Sequence, residues 1–573
     1  MTSQQAVIDQ LPAHLQPFVA VQDYANYTPR DHAIWRFLLH QLRFSLRHSA
    51  HPTYFEGLTK TGIGTEAIPR IEEINSCLTK LGWQAVAVDG FLPPAVFMEF
   101  QARKILAIAL NIRSFEHMLY TPAPDIIHES AGHAPFLVDI DYAEFLQRFG
   151  ELGMQAIANQ HDMNIYEAVR QLSIVKEDGS SAAQDIDAAQ SAVEALQDMH
   201  VAPSEANLLA RLHWWTVEYG LVGSINNYTI YGAGLLSSLS ESQSCMDDRK
   251  VTKLPLTLNA LKTAYDITAP QPQLFVTESC RHLSQVLEEY GRHMCCQRGG
   301  ASALEEALEA ATVTTSELNS GLQIAGKISR VVTDPVGNAV YLNTQGPTQL
   351  AYQHTELPGH GIEYHELGFG SPIGRLRAME RCLSNYTVDE LKRHHIEIDT
   401  DVTLNFLSGI CVSGRLVAIL RRNQRNLLFT FEQCTVSDID GEVLFDPEWG
   451  VYDMAVGDAV ISVAGGSADQ SAYPMYDAPS TQVSAASRVD GQTQAQFTWY
   501  SKLRKCRESG SVDSTLIQEI TAQESLDWLI KFEAFELSND KALRNQLEEI
   551  STHAGDDVAV LINGGLKRLS EPS

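Results

Sequence analysis

The chain lacks paired cysteines, a basic surplus and a long apolar run, and each absence excludes a class of protein. Its nine cysteines, at 77, 245, 280, 295, 296, 382, 411, 434 and 506, are odd in number, and no Cys-x-x-Cys pair occurs. That argues against a zinc ribbon and a secreted disulfide framework, and free thiols in a reducing cytoplasm are expected. Lysine and arginine total 42 against 71 acidic residues, a formal net charge of −29. Such a surface offers phosphates no positive footprint, so neither nucleic acid nor an anionic membrane is an expected partner. No 18-residue apolar stretch exists. The best candidate, Leu404 to Leu420, is broken by Asn405, Ser408, Gly409, Ser413, Gly414 and Arg415, and reads as two buried strands and a turn. The first ten residues carry neither a basic n-region nor an apolar h-region, so no signal peptide is expected.

What is present is ordinary globular composition: 573 residues, 44% hydrophobic and 20% charged. At about 100–200 residues per domain, two to four domains follow. Helical spacing runs through Ile34, Trp35, Leu38, Leu39 and Leu42, and further helices are expected over Val96–Ile112 and Tyr142–Ile157. Residues 302–311 are strong helix formers. After about residue 320 the period changes to short β-branched or aromatic runs between Gly, Asn and Asp turns. Leu427–Phe431 reads as a strand and Asp438–Gly441 as a turn. The division that results is a helix-rich region over 1–300, a linker helix over 301–320, a β-rich domain over 321–465, a flexible linker over 466–496 and a helical segment over 497–573.

The sharpest local signal is Pro124-Asp-Ile-Ile-His128-Glu129-Ser-Ala-Gly-His133. Its histidines are five apart, unlike the four of the zinc-protease His-Glu-x-x-His. On a regular α-helix the two side chains would point about 140° apart. Both reach one metal only if the helix ends or bulges near Gly132. A facial triad for non-haem Fe(II) needs two imidazoles and a carboxylate, with open positions opposite. Glu218 offers that carboxylate, set among Trp214, Trp215, Val217 and Tyr219. A carboxylate buried there needs a partner, and a metal is one.

These stretches, with Trp215-Thr-Val-Glu-Tyr-Gly-Leu221, Tyr231-Gly-Ala-Gly-Leu-Leu-Ser-Ser238, Glu241, Tyr27-Thr28 and Trp35, resemble the pterin-dependent aromatic amino acid hydroxylases over about residues 23–295. The resemblance implies a multidomain protein. A mainly α catalytic domain of that type over 1–300 would be followed by a β-rich α+β C-terminal region that resembles nothing recognised. It implies Fe(II) held by His128, His133 and Glu218, with tetrahydrobiopterin or another tetrahydropterin as reductant. By the same resemblance Arg113 matches the guanidinium that holds the amino acid's carboxylate. Thr121, Trp214, Ser237 and Glu241 match the rest of the substrate pocket, with Glu241 and Ser237 organising Arg113 or its neighbours. Leu92 and Phe97 match pterin contacts, Phe97 as the stacking ring, and Glu129 matches a carboxylate beside pterin and iron. His213, another candidate catalytic residue, departs from the Tyr often found there, and Pro93-Pro94 replace serines at the pterin's edge. No regulatory domain of the family's kind is expected in the first 22 residues. The implied reaction takes O2 and hydroxylates an aromatic ring. Ile267, an aliphatic residue where tyrosine hydroxylases tend to be acidic, favours phenylalanine, then tryptophan. A hydroxylase of another aromatic acid, an inactive hydroxylase-like scaffold and, more distantly, a zinc hydrolase are the alternatives.

In the C-terminal half, His354, His360 and His365 lie in one Gly- and Pro-containing stretch, either solvent-facing or a second metal site. Arg421, Arg422 and Arg425 read as solvated charges at a hairpin tip. Cys295-Cys296 reads as two buried thiols. Three roles fit this half: docking on the catalytic domain, assembling a homo-oligomer, or binding a regulator.

Overall fold

The computed structural model describes residues 4–90, 92–119, 125–177, 181–266, 269–477 and 491–571. Helix Pro29–Leu46 is the axis of the first core. Thr28 and Asp31 form a reciprocal capping box at its start, and Pro29 takes the first helical position. The expected stripe of Ile34, Trp35, Leu38, Leu39 and Leu42 is buried, but so is Phe37 on another face. Its ring meets Trp528 and Phe532 edge-on at 5.2 and 4.9 Å. The C-terminal helices Gly491–Ser509, Ser514–Ala522, Trp528–Ser538, Lys541–His553 and Asp556–Ser570 thus join the first core rather than forming one of their own. Ion pairs line this contact. Arg36 pairs with Glu66 at 2.8 Å and also with Glu536, which in turn pairs with Arg568. Of the three roles expected for the C-terminal half, docking on the hydroxylase-like half is the one its contacts support.

Two small sheets interrupt the helices. Strands β1 (Gln84–Val88) and β2 (Ile105–Ala109) pair in parallel across helix Pro94–Ala102. The helix expected over Val96–Ile112 therefore stops at Ala102, and Lys104 turns the chain at φ +59°. The run Ile105–Ala109 is apolar without alternation because the strand is buried on both faces, a pattern that periodicity alone cannot separate from a buried helix. Gly150 of helix Ile140–Gly153 lets that helix touch Pro94–Ala102. A Cβ there would lie 2.3 Å from the Ala102 backbone nitrogen. Strands β3 (Leu221–Ser224), β4 (Asn227–Ile230), β5 (Thr252–Pro255) and β6 (Gln273–Thr277) form the second sheet in the order β4-β3-β6-β5.

Helix Gly300–Ala310 is not a free linker. Ala303, Leu304, Ala307 and Ala310 are buried in the core of the region that follows, and the strands begin at Val313, before residue 321. Gly299 and Gly300 make the junction at φ +58° and +73°, a conformation that side chains disfavour. Strands β7 (Val313–Leu318), β8 (Leu322–Thr333), β9 (Ala339–Tyr352), β10 (Thr355–Glu356) and β11 (Gly370–Pro372) build an antiparallel sheet with order β10-β9-β8-β7-β17, and β11 also pairs with β9. A second antiparallel sheet contains β12 (Thr400–Asn405), β13 (Cys411–Arg422), β14 (Arg425–Ser437), β15 (Val443–Phe445) and β16 (Tyr452–Ala455), while β17 (Val460–Gly465) returns to the first. Leu404–Leu420 takes in the end of β12, a turn and most of β13, and these strands are exposed on one face rather than buried; Gly441 closes the turn after β14. Arg421, Arg422 and Arg425 flank the β13–β14 hairpin tip, where Arg421 also donates to the Tyr386 carbonyl at 2.9 Å. The sheets abut the helical half directly: Thr312 donates to the Ala158 carbonyl at 2.7 Å and the Gly465 nitrogen to Gln155 at 2.8 Å. Of the stretch read as a flexible linker, residues 466–477 are pinned, with Asp469 and Gln349 bonding each other, and 478–490 lie outside the described residues. Cys295 and Cys296 are buried free thiols. Among the described residues no helix is long and apolar enough to cross a membrane.

Candidate active site

The segment Ile127–His133 is a π-helix. At about 4.4 residues per turn, a five-residue step advances the side chain by only about 50° past a full turn. The spacing that defeats a regular helix therefore puts His128 and His133 on one face. The helix was expected to end or bulge near Gly132, and the π segment, which ends one residue later, is that bulge. The missing side chain also serves close packing: a Cβ would sit 2.9 Å from the Ala233 carbonyl oxygen. The opposing segment Trp214–Glu218 is also π-helical, with the Tyr219 nitrogen bonding the Trp214 carbonyl at 2.9 Å, five residues back.

These two π turns bring three donors together. His128 Nε2 and His133 Nε2 are 3.1 Å apart, and the two Glu218 oxygens lie 3.3 Å from each in turn. With metal–ligand bonds of about 2.1 Å, donors at right angles are about 3.0 Å apart and tetrahedral donors about 3.4 Å. The triangle thus fits one face of a coordination sphere. The tautomers fit as well. Ser237 Oγ donates to the Ala233 carbonyl at 2.8 Å, so it meets His128 Nδ1, at 3.0 Å, as an acceptor. The proton of His128 then sits on Nδ1, and Nε2 keeps its lone pair for a cation. Burial pushes the Glu218 carboxyl up, but the two imidazoles outweigh it and hold the group well below its ordinary value.

Arg113 is buried and already paired. Its Nε and Nη2 donate to Asp125 at 2.8 and 2.9 Å, a bidentate fork, and among the described residues Nη1 makes only long contacts, to the Met118 and Ser237 carbonyls. The edge formed by Nη1 and the second hydrogen of Nη2 is the one left for a further carboxylate. Asp125 also accepts from the backbone nitrogens of Arg113 and His128 at 3.0 Å. Burial pushes the Asp125 carboxyl up, and the Arg113 guanidinium more than reverses this. Sequence reasoning quoted Asp125 in the motif without giving it a role. The signal available was an acid three residues before a helical His, an N-cap pattern.

Ser237 reaches Arg113 through its carbonyl and His128 through its hydroxyl, as the positioning role expected of it requires. Glu241 accepts from the Tyr219 hydroxyl at 2.9 Å, and among the described residues no hydrogen bond joins it to Arg113. Burial pushes its carboxyl up. Tyr219 in turn stacks on Trp214, whose other face stacks on Tyr265, at 4.6 and 4.5 Å between centroids. Trp214 was expected as an aromatic wall, and the sequence did not show that it stands in a three-ring stack. Thr121 and Ile267 lie outside the described residues.

Burial pushes the Glu129 carboxyl up to about 8, and among the described residues its Oε2 is buried without a hydrogen-bond partner, 3.9 Å from His133 Nε2. Burial lowers His213 to about 4, so its imidazole is neutral near pH 7. Its Nδ1 is 3.8 Å from Glu218, and its ring lies edge-on between Phe97 and Phe149, at 5.9 and 5.2 Å. Leu92 and Phe97 are half-buried at the rim of a small core that also contains Val86, Val88 and Phe100. Phe97 thus borders both that rim and His213.

Residues 19–194 and 182–298 match the family model described as biopterin-dependent aromatic amino acid hydroxylase. The phenylalanine-4-hydroxylase of Pseudomonas aeruginosa is 28% identical over 267 residues, covering 46% of this chain and 85% of that protein. That of Bos taurus is 30% identical over 275 residues, 46% of this chain and 49% of the bovine protein. A crystal structure of Chromobacterium violaceum phenylalanine hydroxylase with bound iron(III) and oxidised 7,8-dihydrobiopterin aligns with a TM-score of 0.39 at 26% identity. It covers 49% of this chain and 87% of that one.

Proposed function

Since residues 19–298 belong to the biopterin-dependent aromatic amino acid hydroxylase family, we propose that the protein is an iron- and tetrahydropterin-dependent monooxygenase that converts L-phenylalanine to L-tyrosine. The observation that carries this reading is the convergence of His128 Nε2, His133 Nε2 and one Glu218 carboxylate within 3.1–3.3 Å of one another. Two lone pairs and an anion so close, in a buried place, call for a cation. When bound, Fe(II) and a tetrahydropterin would supply O2 activation and two electrons, so that one oxygen atom enters the ring and the other leaves on the pterin.

The chain's own residues do the rest. Ser237 holds the His128 tautomer that presents Nε2. Asp125 clamps Arg113 so that Nη1 faces the pocket and pairs with the substrate's carboxylate. The stack of Tyr219, Trp214 and Tyr265 gives the substrate ring an apolar wall and keeps water out. Neutral His213 and the uncharged form of Glu129 add no competing charge beside the triad. Phe97 offers a ring against which a pterin stacks, with Leu92 beside it.

The test is anaerobic loading of the full chain with Fe(II) and tetrahydropterin, followed by oxygen and each of phenylalanine, tyrosine and tryptophan. Tyrosine from phenylalanine, one pterin oxidised per product, is expected. An iron-loaded protein that hydroxylates none of the three would overturn the proposal. The free cysteines and acidic surface favour action in the cytoplasm.

A further inference from the structure

We propose that the C-terminal β region holds a second metal site, formed by His360, His365 and Asp453, which takes a divalent transition-metal ion of the zinc class and pins the two antiparallel sheets together. His360 Nδ1 lies 3.3 Å from His365 Nε2 and 3.8 Å from Asp453 Oδ2, and all three donors lie within 4.8 Å of one another. The histidine pair already has the roughly 3.0–3.4 Å spacing of a closed coordination sphere, and Asp453 stands wider, at 3.8 Å from His360 and within 4.8 Å of His365, so a carboxylate rotation must bring it in.

Each ligand is held by its own sheet. Asp453 stands on β16 opposite Thr430 of β14, and the Thr430 hydroxyl donates to its Oδ1 at 2.7 Å, leaving Oδ2 toward the histidines. The two histidines belong to the loop after β10, which is tied to β9. Leu350 donates its backbone N–H to the His360 carbonyl at 2.9 Å, and Thr348 to that of His365 at 3.1 Å. The three side chains therefore meet across the seam where β11 and β16 also touch, through Ser371 and Ala455. His354, the third histidine of the motif, is not part of the group: its backbone nitrogen bonds Gln323.

The charge argument is independent of the spacing. Asp453 is only 5% exposed, and among the described residues it ion-pairs with no lysine or arginine, only with His360. The hydroxyls of Thr430 and Tyr364 solvate this carboxylate without neutralising it, and a cation shared with the two imidazoles would. Two imidazoles and one carboxylate form a donor set suited to zinc, cobalt, nickel or iron rather than calcium or magnesium. The competing arrangement is a hydrogen-bonded His–His–Asp cluster with no metal, and the experiment separates the two.

The full chain is stripped with a chelator, loaded with Zn(II) or Co(II) and desalted, and metal per chain is measured. Two equivalents are expected in the wild type and one in Glu218→Ala. The double variants Glu218→Ala/His365→Ala and Glu218→Ala/Asp453→Asn should hold none. Zn(II) should raise the Tm of Glu218→Ala and leave that of the doubles unmoved. His365→Ala alone should keep its pterin-dependent hydroxylation after iron loading. If His365→Ala does not fold, Asp453→Asn, which keeps the side chain's shape, decides. A Glu218→Ala chain that binds no metal, or whose metal content is unchanged by either second substitution, overturns the proposal.

Discussion

Single atoms carry the working parts of this protein. Ser237 Oγ fixes which nitrogen of His128 bears the proton. Ser237→Ala should weaken Co(II) or Fe(II) affinity at the triad by about 10–100-fold with the fold intact, the range seen for groups that orient a ligand. A titration with unchanged affinity would remove Ser237 from this role. Asp125 both clamps Arg113 and caps the His128 helix. Asp125→Ala strands a buried guanidinium and should cost about 3–5 kcal/mol in urea denaturation, with the phenylalanine KM raised. His32 is a separate case. Burial, with Arg504 and Arg70 nearby, lowers it to about 4. The unfolded chain, near the ordinary 6.5, then binds more protons than the folded one between pH 6.5 and 4, so stability falls as pH drops through that window. In His32→Gln this part of the acid loss should vanish. Parallel stability curves for the two proteins would show that His32 does not contribute.

Elements explain what was readable in the sequence and what was not. The capped stripe of Pro29–Leu46 and the strands around Leu404–Leu420 follow the two common periods, 3.6 and 2, and were legible. The His128–His133 pair follows neither, because a π-helix has its own period. The residues were recognisable, but the element that joins them was not. Strand β2 was hidden inside an apolar run that suits a buried strand as well as a helix. Asp453 could not be linked to His365 by any local pattern, since pairing between sheets is a long-range property. The π segment also makes a prediction. Gly132→Ala forces a methyl to 2.9 Å from the Ala233 carbonyl. It should cost about 1–3 kcal/mol as overpacking and loosen the triad, which thermal melting and metal titration would both register. A variant as stable as the wild type would mean the neighbouring helix yields freely.

At the scale of the whole molecule, the two halves are one body. Sequence alone left docking, oligomerisation and regulation open for the C-terminal half, because the apolar faces of helices 497–573 have no partner until Phe37 and its neighbours are seen beside them. Phe532→Ala should destabilise the hydroxylase half by about 3–5 kcal/mol, although no substrate contact is touched. Residues 1–300 alone, which a modular reading would expect to be soluble, should expose Phe37 and Phe115, both of which pack on Trp528, and aggregate. Adding residues 491–571 in trans should rescue them. A soluble, monomeric 1–300 fragment would show that this contact is dispensable.

The chain thus departs from its first core after Arg298, builds some 150 residues of β structure, and only then delivers the helices that finish what it began. Arg36, already beside Glu66, gains its second partner 500 positions downstream. On a ribosome adding about 5–20 residues per second, the oxygenase-like half would stand incomplete on the order of 10–60 s. Its uncovered face is then an invitation to chaperones during synthesis.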